Sequence, residues 1–348
     1  MTTALIRPFD PATAPRPALL DYHDLQLSTG RVDRPGERPQ SFEAALERLR
    51  VTLPGRGPAA FWAAYEEDRL VGLAEVNFPA DENAHLALAE IRVHPGNRRR
   101  GTGSALLGAA LPEIAARGRT LVAGWGVTEG GAGSAWADRL GFRRVHRDLV
   151  QALDLREADR ERWRCPDPDG YRLVAWAGAA PPELLDSLAH ARNAIRDAPV
   201  EDSSYTDPRW TPERVRAHED RLRADGVEQR VVAAVHEAGG EVVGLTELLL
   251  LADRPHEGLQ GDTAVLAGHR GRGLGRQVKA AMLRRLVTER PAVHRILTST
   301  ATDNAFMIEV NLSVGFRTVR RMVDVEAGVA ALMLLLRADP TAQCRSFD

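Results

Sequence analysis

Cysteine is almost missing from this chain: two residues in 348, Cys165 and Cys344, neither in the spacing of a metal-ligand set or a nucleophile motif. A disulfide framework is thereby excluded as a stabilising device, and the pattern fits a reducing cytoplasm. Long apolar runs are missing too. The run Ala330 to Leu336 is far shorter than a membrane span, and the start, Met1 to Arg7, has no apolar signal core. No charge dominates, since 46 basic residues stand against 48 acidic ones for a net of -2, which argues against general nucleic-acid binding. Two nucleotide loops are absent as well. There is no Gly-x-x-x-x-Gly-Lys-Ser/Thr, and Leu106 and Val278 stand where a dinucleotide-binding turn would need its third glycine.

What is present is a soluble composition, 44% hydrophobic and 27% charged, in a chain long enough for two domains. One stretch occurs twice. Val93 to Gly103 reads Val-His-Pro-Gly-Asn-Arg-Arg-Arg-Gly-Thr-Gly, and Val265 to Gly275 reads Val-Leu-Ala-Gly-His-Arg-Gly-Arg-Gly-Leu-Gly. In both, an apolar run gives way to a basic, glycine-rich turn and then to an apolar helix pattern. Glycine lets the backbone approach a ligand, and the first N–H groups of a helix have no intrahelical partner and favour an anion. Each turn is therefore a candidate phosphate site. The repeat extends beyond it: Glu75 is echoed by Glu247 (247 − 75 = 172), and Glu90 by Asp262, Arg98 by Arg270 and Gly103 by Gly275 at the same offset. Farther on, Gly141-Phe142-Arg143 is echoed by Gly315-Phe316-Arg317 at 174. A spacing held this long marks a duplicated domain.

Arg98-x-x-Gly101-x-Gly103 and Arg270-x-x-Gly273-x-Gly275 resemble the Arg/Gln-x-x-Gly-x-Gly/Ala signature of the GNAT acyltransferase superfamily, whose loop holds the pyrophosphate of acetyl-CoA. The resemblance implies an α/β fold: two tandem GNAT domains, each a mostly antiparallel, splayed mixed sheet flanked by helices. The expected division is an N-terminal domain over 1–156, a linker over 157–170, a C-terminal domain over 171–337 and a flexible tail over 338–348. The cofactor implied is acetyl-CoA or another acyl-CoA, with no metal. Phosphate contacts are expected from Arg98, Arg99, Arg100, Gly101, Thr102, Gly103 and Ser104, and from Arg270, Gly271, Arg272, Gly273, Leu274, Gly275 and Arg276. The strands ending at Val93 and Val265 should splay from their neighbours, so that the backbone at Ile91, Val93 and Val265 meets the pantetheine arm. Asn304, opening a helix, reads as a cap that also meets CoA in this family.

Glu75, Glu90, Glu247 and Asp262 are candidate general bases, because a carboxylate between sheet and ligand can carry a raised pKa. The family's tyrosine acid, four residues before the Gly-Phe pair in many members, is missing: those positions are Ala137 and Asn311. Asn311 is kept as a candidate polar group at the cleft, and the second half, richer in such groups, is the expected catalytic half. The acceptor is expected to be a small-molecule or peptide amine, since Asp197, Glu201, Asp202 and Asp207 with Tyr205 and Trp210 make an acidic, aromatic loop suited to a cation. The corresponding first-half loop, read over Ser28 to Gln40, carries Arg31, Arg34 and Arg38. The functional expectation is thus a cytoplasmic N-acyltransferase, monomeric or homodimeric, with no nucleic-acid or membrane partner. The alternative is a CoA-binding regulatory or scaffold protein whose catalytic sites have decayed. Two local features complete the reading: Pro112 should disturb its helix, and Ala330 to Leu336 should be a final apolar strand.

Overall fold

The computed structural model describes residues 4–35, 39–50, 55–166, 168–197 and 201–338. The expected tail from 339 onward, including Cys344, and Arg38 of the first-half loop lie outside the described residues. No helix among those described is long and apolar enough to cross a membrane.

In chain order the first repeat forms β1 (Leu5–Pro8), α1 (Arg16–Asp33), α2 (Phe42–Arg50), β2 (Ala59–Glu66), β3 (Arg69–Asn77), β4 (Leu86–Val93), α3 (Thr102–Ala116), β5 (Leu121–Thr128), α4 (Ala132–Arg139) and β6 (Arg143–Asp154). The second forms β7 (Tyr171–Ala177), α5 (Leu185–Arg192), α6 (Pro212–Ala224), β8 (Glu228–His236), β9 (Val242–Leu250), β10 (Glu257–Val265), α7 (Leu274–Glu289), β11 (Arg295–Ala301), α8 (Ala305–Ser313), β12 (Arg317–Gly328) and α9 (Val329–Ala338).

Two compact units result, and they do not follow the halves of the sequence. One comprises Met1–His146, Asp202–Thr206 and Met322–Asp348, and the other Arg147–Glu201 with Asp207–Arg321. In the first, β1 to β5 lie side by side, and β5 is paired antiparallel by β12, from Met322 opposite Thr128 to Gly328 opposite Leu121. In the second, β7 to β10 form a meander, β11 joins β10 in parallel, and β6 closes the sheet antiparallel to β11. Each repeat thus lends its last strand to the other unit. The boundary at 156 is the end of the sequence repeat, whereas contact follows the exchanged strands.

Each sheet carries α3 or α7 on one face and the paired helices α1 and α2, or α5 and α6, on the other. The helix α3 face is filled by Val71, Ala87, Leu106, Leu107, Leu111 and Ile114, the α7 face by Val232, Val243, Val278, Met282 and Leu286. Helix α3 runs unbroken past Pro112, which can offer no N–H to the preceding turn.

Three expectations change. Ala330 to Leu336 is helical, within α9, and not a strand. Leu332 and Leu336 are one turn apart and buried in the same core cluster, which a period-3.6 face satisfies and a two-residue alternation would not. The strand that does end the fold is β12, which precedes it. Within the expected linker, Trp163 is docked: it is 1% exposed, its Nε1 donates to the Val314 carbonyl at 2.9 Å, and Arg284 donates to the Trp163 carbonyl. Finally, α1 continues through Arg31 to Asp33 instead of giving way to a loop at Ser28, for a reason that belongs to the site.

Candidate active site

In both units the strand that feeds the glycine-rich turn parts from its parallel neighbour. β4 pairs with β5 only through Leu86, Ala87 and Leu88, and β10 with β11 only through Glu257, Gly258 and Leu259. From Ala89 and from Gln260 onward, one edge of the strand is open toward that neighbour. β10 carries an added irregularity between Gln260 and Thr263, and Asp262 lies within it. The expected splay is present twice.

The turns themselves are built alike. Gly101 and Gly273 are the N-caps of α3 and α7, with φ +87 and +75, a conformation that a Cβ strains. The helices make their first bonds from Ala105 to Gly101 and from Gln277 to Gly273, so the N–H groups of 102 to 104 and 274 to 276 are not needed within the helix. Arg99, φ +65, takes the left-handed conformation that Gly271, φ +76, takes in the second turn. Arg99→Gly is accordingly expected to stabilise the fold by up to about 1 kcal/mol, read from urea unfolding.

Gly103 and Gly275 have ordinary helical φ. A Cβ on Gly103 would meet the Trp136 indole at 3.6 Å, ordinary contact, and on Gly275 nothing within 4 Å. The protein itself gives no reason for glycine there.

The motif arginines are more engaged than the sequence suggested. Arg98 Nε donates to the Val93 carbonyl at 3.0 Å, and its guanidinium grips Asp33 at 2.8 and 2.6 Å. Arg270 does the same with the Val265 carbonyl at 2.9 Å and Asp197 at 2.6 Å. In each copy the arginine staples the strand end to an acid from the helix opposite, and this is why α1 extends to Asp33. Arg100 lies 3.7 Å from Glu66, and Arg276 donates to the Arg162 carbonyl at 2.9 Å. Arg99 and Arg272 are exposed. Ser104 accepts a bond from Trp136 Nε1 at 3.2 Å, Thr102 is buried, and the Leu274 side chain is in the core, leaving its backbone to the turn. Ile91, Val93 and Val265 pack their side chains toward α3 or α7. Asn304 caps α8, accepting from the Met307 N–H at 3.1 Å.

The carboxylates divide sharply between the units. Glu75 and Glu90 are cross-strand neighbours on the α1/α2 side. Glu75 accepts from Asn77 Nδ2 at 2.9 Å, and Glu90 is bonded to Arg92. Burial opposes ionisation of Glu90, but Arg92, Arg56, Arg34 and Arg48 outweigh it and hold its carboxyl below the ordinary value. The raised pKa expected of a base is not found there, because four arginines converge on one acid.

In the second unit the arginine goes to the other carboxylate. Glu247, 4% exposed, is bonded to Arg192, and Asp262 makes no direct ion pair among the described residues. Burial raises the Asp262 carboxyl above its ordinary value, against the pull of Arg192. Asp207 is raised too, by burial and then by Asp262. His218, its Nε2 3.9 Å from Glu247 Oε1, is lowered to about 4 by burial and by Arg192, and so is neutral. Trp210 lies over the Arg192 guanidinium at 4.3 Å and meets His218 edge-on at 5.3 Å. Arg192 and His218 were missed in the sequence: an arginine ending one helix and a histidine inside another carry no local signal.

The acidic loop does not act as one. Asp197 serves Arg270, and Glu201 faces Arg147 at 3.8 Å. Residues 202–206 belong to the first unit, where Ser204 bonds Glu326 twice, at 2.9 and 2.6 Å, and Tyr205 stands edge-on to Trp125 at 5.1 Å. Of this loop Asp207 is acted on by Asp262, while Trp210 lies over Arg192. Asn311 is wholly buried, donating to Gln151 Oε1 at 2.8 Å and Thr300 Oγ1 at 3.1 Å. A carboxamide has no proton to give as an acid.

A splayed strand and an anion-ready helix start, present in two copies, with a carboxyl group raised above its usual pKa in the second, define an acyltransferase scaffold. The model of the acetyltransferase (GNAT) family matches residues 22–142 and again 192–316, and the chain belongs to that family as an N-acetyltransferase. A mycothiol acetyltransferase of Amycolatopsis mediterranei is 30% identical over 271 residues, 75% of this chain and 81% of that one. Among solved structures, a tandem GNAT protein from the clavulanic acid biosynthesis pathway superposes with a TM-score of 0.76 at 26% identity, covering 94% of this chain and 98% of that one. A GCN5-related N-acetyltransferase from Sphaerobacter thermophilus shares the fold, with a TM-score of 0.69 at 19% identity over 94% and 96%.

Proposed function

We propose that the second unit transfers an acetyl group from acetyl-CoA to the amine of a small molecule, with Asp262 taking the proton of the incoming ammonium. The observation that carries this reading is the pairing of open space over Gly275 with a raised Asp262 on the strand that feeds the same turn. A glycine free of internal constraint at a helix start leaves close approach of a ligand as its physical reason, and a pyrophosphate fits there. When bound, acetyl-CoA supplies the activated acyl group. The open edge of β10 beyond Leu259 offers N–H groups to its pantetheine arm, and Asp262, as carboxylate, converts the ammonium to the nucleophilic amine. Asn311 stands where many family members carry the tyrosine acid, so in this reading the departing thiolate takes its proton from solvent. The mycothiol and clavulanic acid relatives favour a small-molecule acceptor over a peptide.

The first unit keeps the turn but holds Glu90 among arginines, and is proposed to bind acetyl-CoA without catalysing transfer. Calorimetric titration of acetyl-CoA into the protein and into Gly101→Glu and Gly273→Glu separates the two turns. Gly273→Glu should abolish turnover and one binding event, and Gly101→Glu should cost binding alone. Gly275→Ala, which meets nothing in the protein, should leave the melting temperature unchanged while weakening acetyl-CoA about tenfold, a loss of roughly 1.4 kcal/mol. An intact protein that binds no acetyl-CoA would end this reading.

A further inference from the structure

Arg192 closes α5 with 4% of its surface exposed, and a guanidinium buried so deeply is costly unless its charge is matched. Three carboxylates act on it, Glu247 on β9 through an ion pair, and Asp262 on β10 and Glu219 on α6 through their charge. The geometry gives the ion pair to Glu247. Trp210 covers the guanidinium face, and Nε has no hydrogen-bond partner among the described residues. The other charged groups here are accounted for. Glu219 on α6 accepts from the Ala180 N–H and from Arg216, Arg196 acts on Asp207, and His218 stays neutral.

We propose that Arg192 is a positioning residue for acetyl transfer: by closing an ion pair with Glu247 beneath Trp210, it reserves Asp262 for the acceptor's ammonium. This rests on placing transfer in the second unit. Without Arg192, Glu247 would be a further bare carboxylate beside Asp262 and Asp207. It would draw the ammonium away from the strand that carries the open edge. With Arg192 released, the cation would turn to Asp262 and occupy it. The pair thus acts as an internal lock on one acid in favour of the other, and the repeat shows the other outcome, where the arginine Arg92 goes to Glu90, the counterpart of Asp262.

The lock predicts opposite shifts from its two halves. Arg192→Met removes the cation, so the titration midpoint of Asp262 should rise by about one pH unit or more, and that of His218 should rise with it. Glu247→Gln frees Arg192 for Asp262, whose midpoint should fall by a similar amount. Arg192→Lys, which keeps a charge, should bring the midpoint most of the way back. The midpoints are read by carbon NMR of the side-chain carboxyls and histidine rings in the full-length protein, with Asp262→Asn for assignment. This measurement needs no acceptor, so it stands apart from the acetyl-transfer reading, which is tested by thiol release from acetyl-CoA with glucosamine as probe amine. Where transfer is observed, the acid limb of kcat/KM should move with the Asp262 midpoint in each variant. Unchanged midpoints in Arg192→Met and Glu247→Gln, with melting temperatures near that of the parent, would overturn the proposal. Should Arg192→Met fail to fold, Glu247→Gln decides alone: a fall supports the lock and no movement overturns it.

Discussion

Asp262→Asn is expected to lower kcat/KM for acetyl transfer by about 10²- to 10⁴-fold, the range that a positioned general base contributes. Acetyl-CoA affinity should be unchanged, because the proposal gives the Asp262 side chain to the acceptor and the cofactor to the turn and the strand backbone. The pH dependence has a definite sign. Burial raises the carboxyl, and Arg192 only partly offsets this. The active form is the carboxylate, so the rate should rise with pH through a midpoint above that of an ordinary aspartate. In the variant this acid limb should disappear. The counterpart Glu90 is held below its ordinary value, because four arginines outweigh its burial. A strong acid is a poor proton acceptor, and the first unit is correspondingly expected to show no such limb. A variant that kept more than about a tenth of the parent kcat/KM and the same pH profile would place the base elsewhere.

Lys279→Met should stabilise the protein by about 4 kcal/mol at neutral pH and below. Lys279 is the only lysine in the sequence, and it is 2% exposed within the core that backs the second turn. Its counterpart 172 residues earlier is Leu107, an ordinary core residue (279 − 107 = 172). The ammonium has the ring of Phe316 at 5.8 Å, and burial lowers its pKa from 10.5 to about 7. Between those values the folded protein holds fewer protons than the unfolded chain, so native stability should increase as pH rises from about 7 to about 10.5. Below pH 7 the full cost of the buried charge remains. Methionine keeps the unbranched stem without the charge. The gain should therefore be largest near pH 6.5 and should shrink toward pH 10, as followed by chemical denaturation at the two ends. An equal gain at both would mean that packing rather than charge is the cause. A loss at both would mean that the amine has a partner it cannot spare.

Much of this protein was determined by its sequence. The 172-residue offset, the left-handed glycines at 101 and 273 and the helix starts behind them follow from local rules, since a positive φ and an unpaired helix end need only the residues that form them. The splay at Val93 and Val265 came from resemblance, and the strand pairing shows it in both copies. Other features are matters of who meets whom. Arg143–Asp154 and Arg317–Gly328 follow the same Gly-Phe signal, so nothing local tells either that it will complete the other repeat's sheet. Residues 330–336 are apolar in either secondary structure, and only a core that receives Leu332 and Leu336 one turn apart makes them a helix. At the site, four carboxylates in two matched pairs looked equivalent. Glu90 meets Arg92 on its own strand, whereas Glu247 meets Arg192 from the end of α5, 55 residues earlier (247 − 192 = 55). A pKa is set by what lies within a few ångströms of a group in space, and so the sequence named the candidate bases while only the tertiary structure sets Asp262, raised, apart from Glu90, lowered.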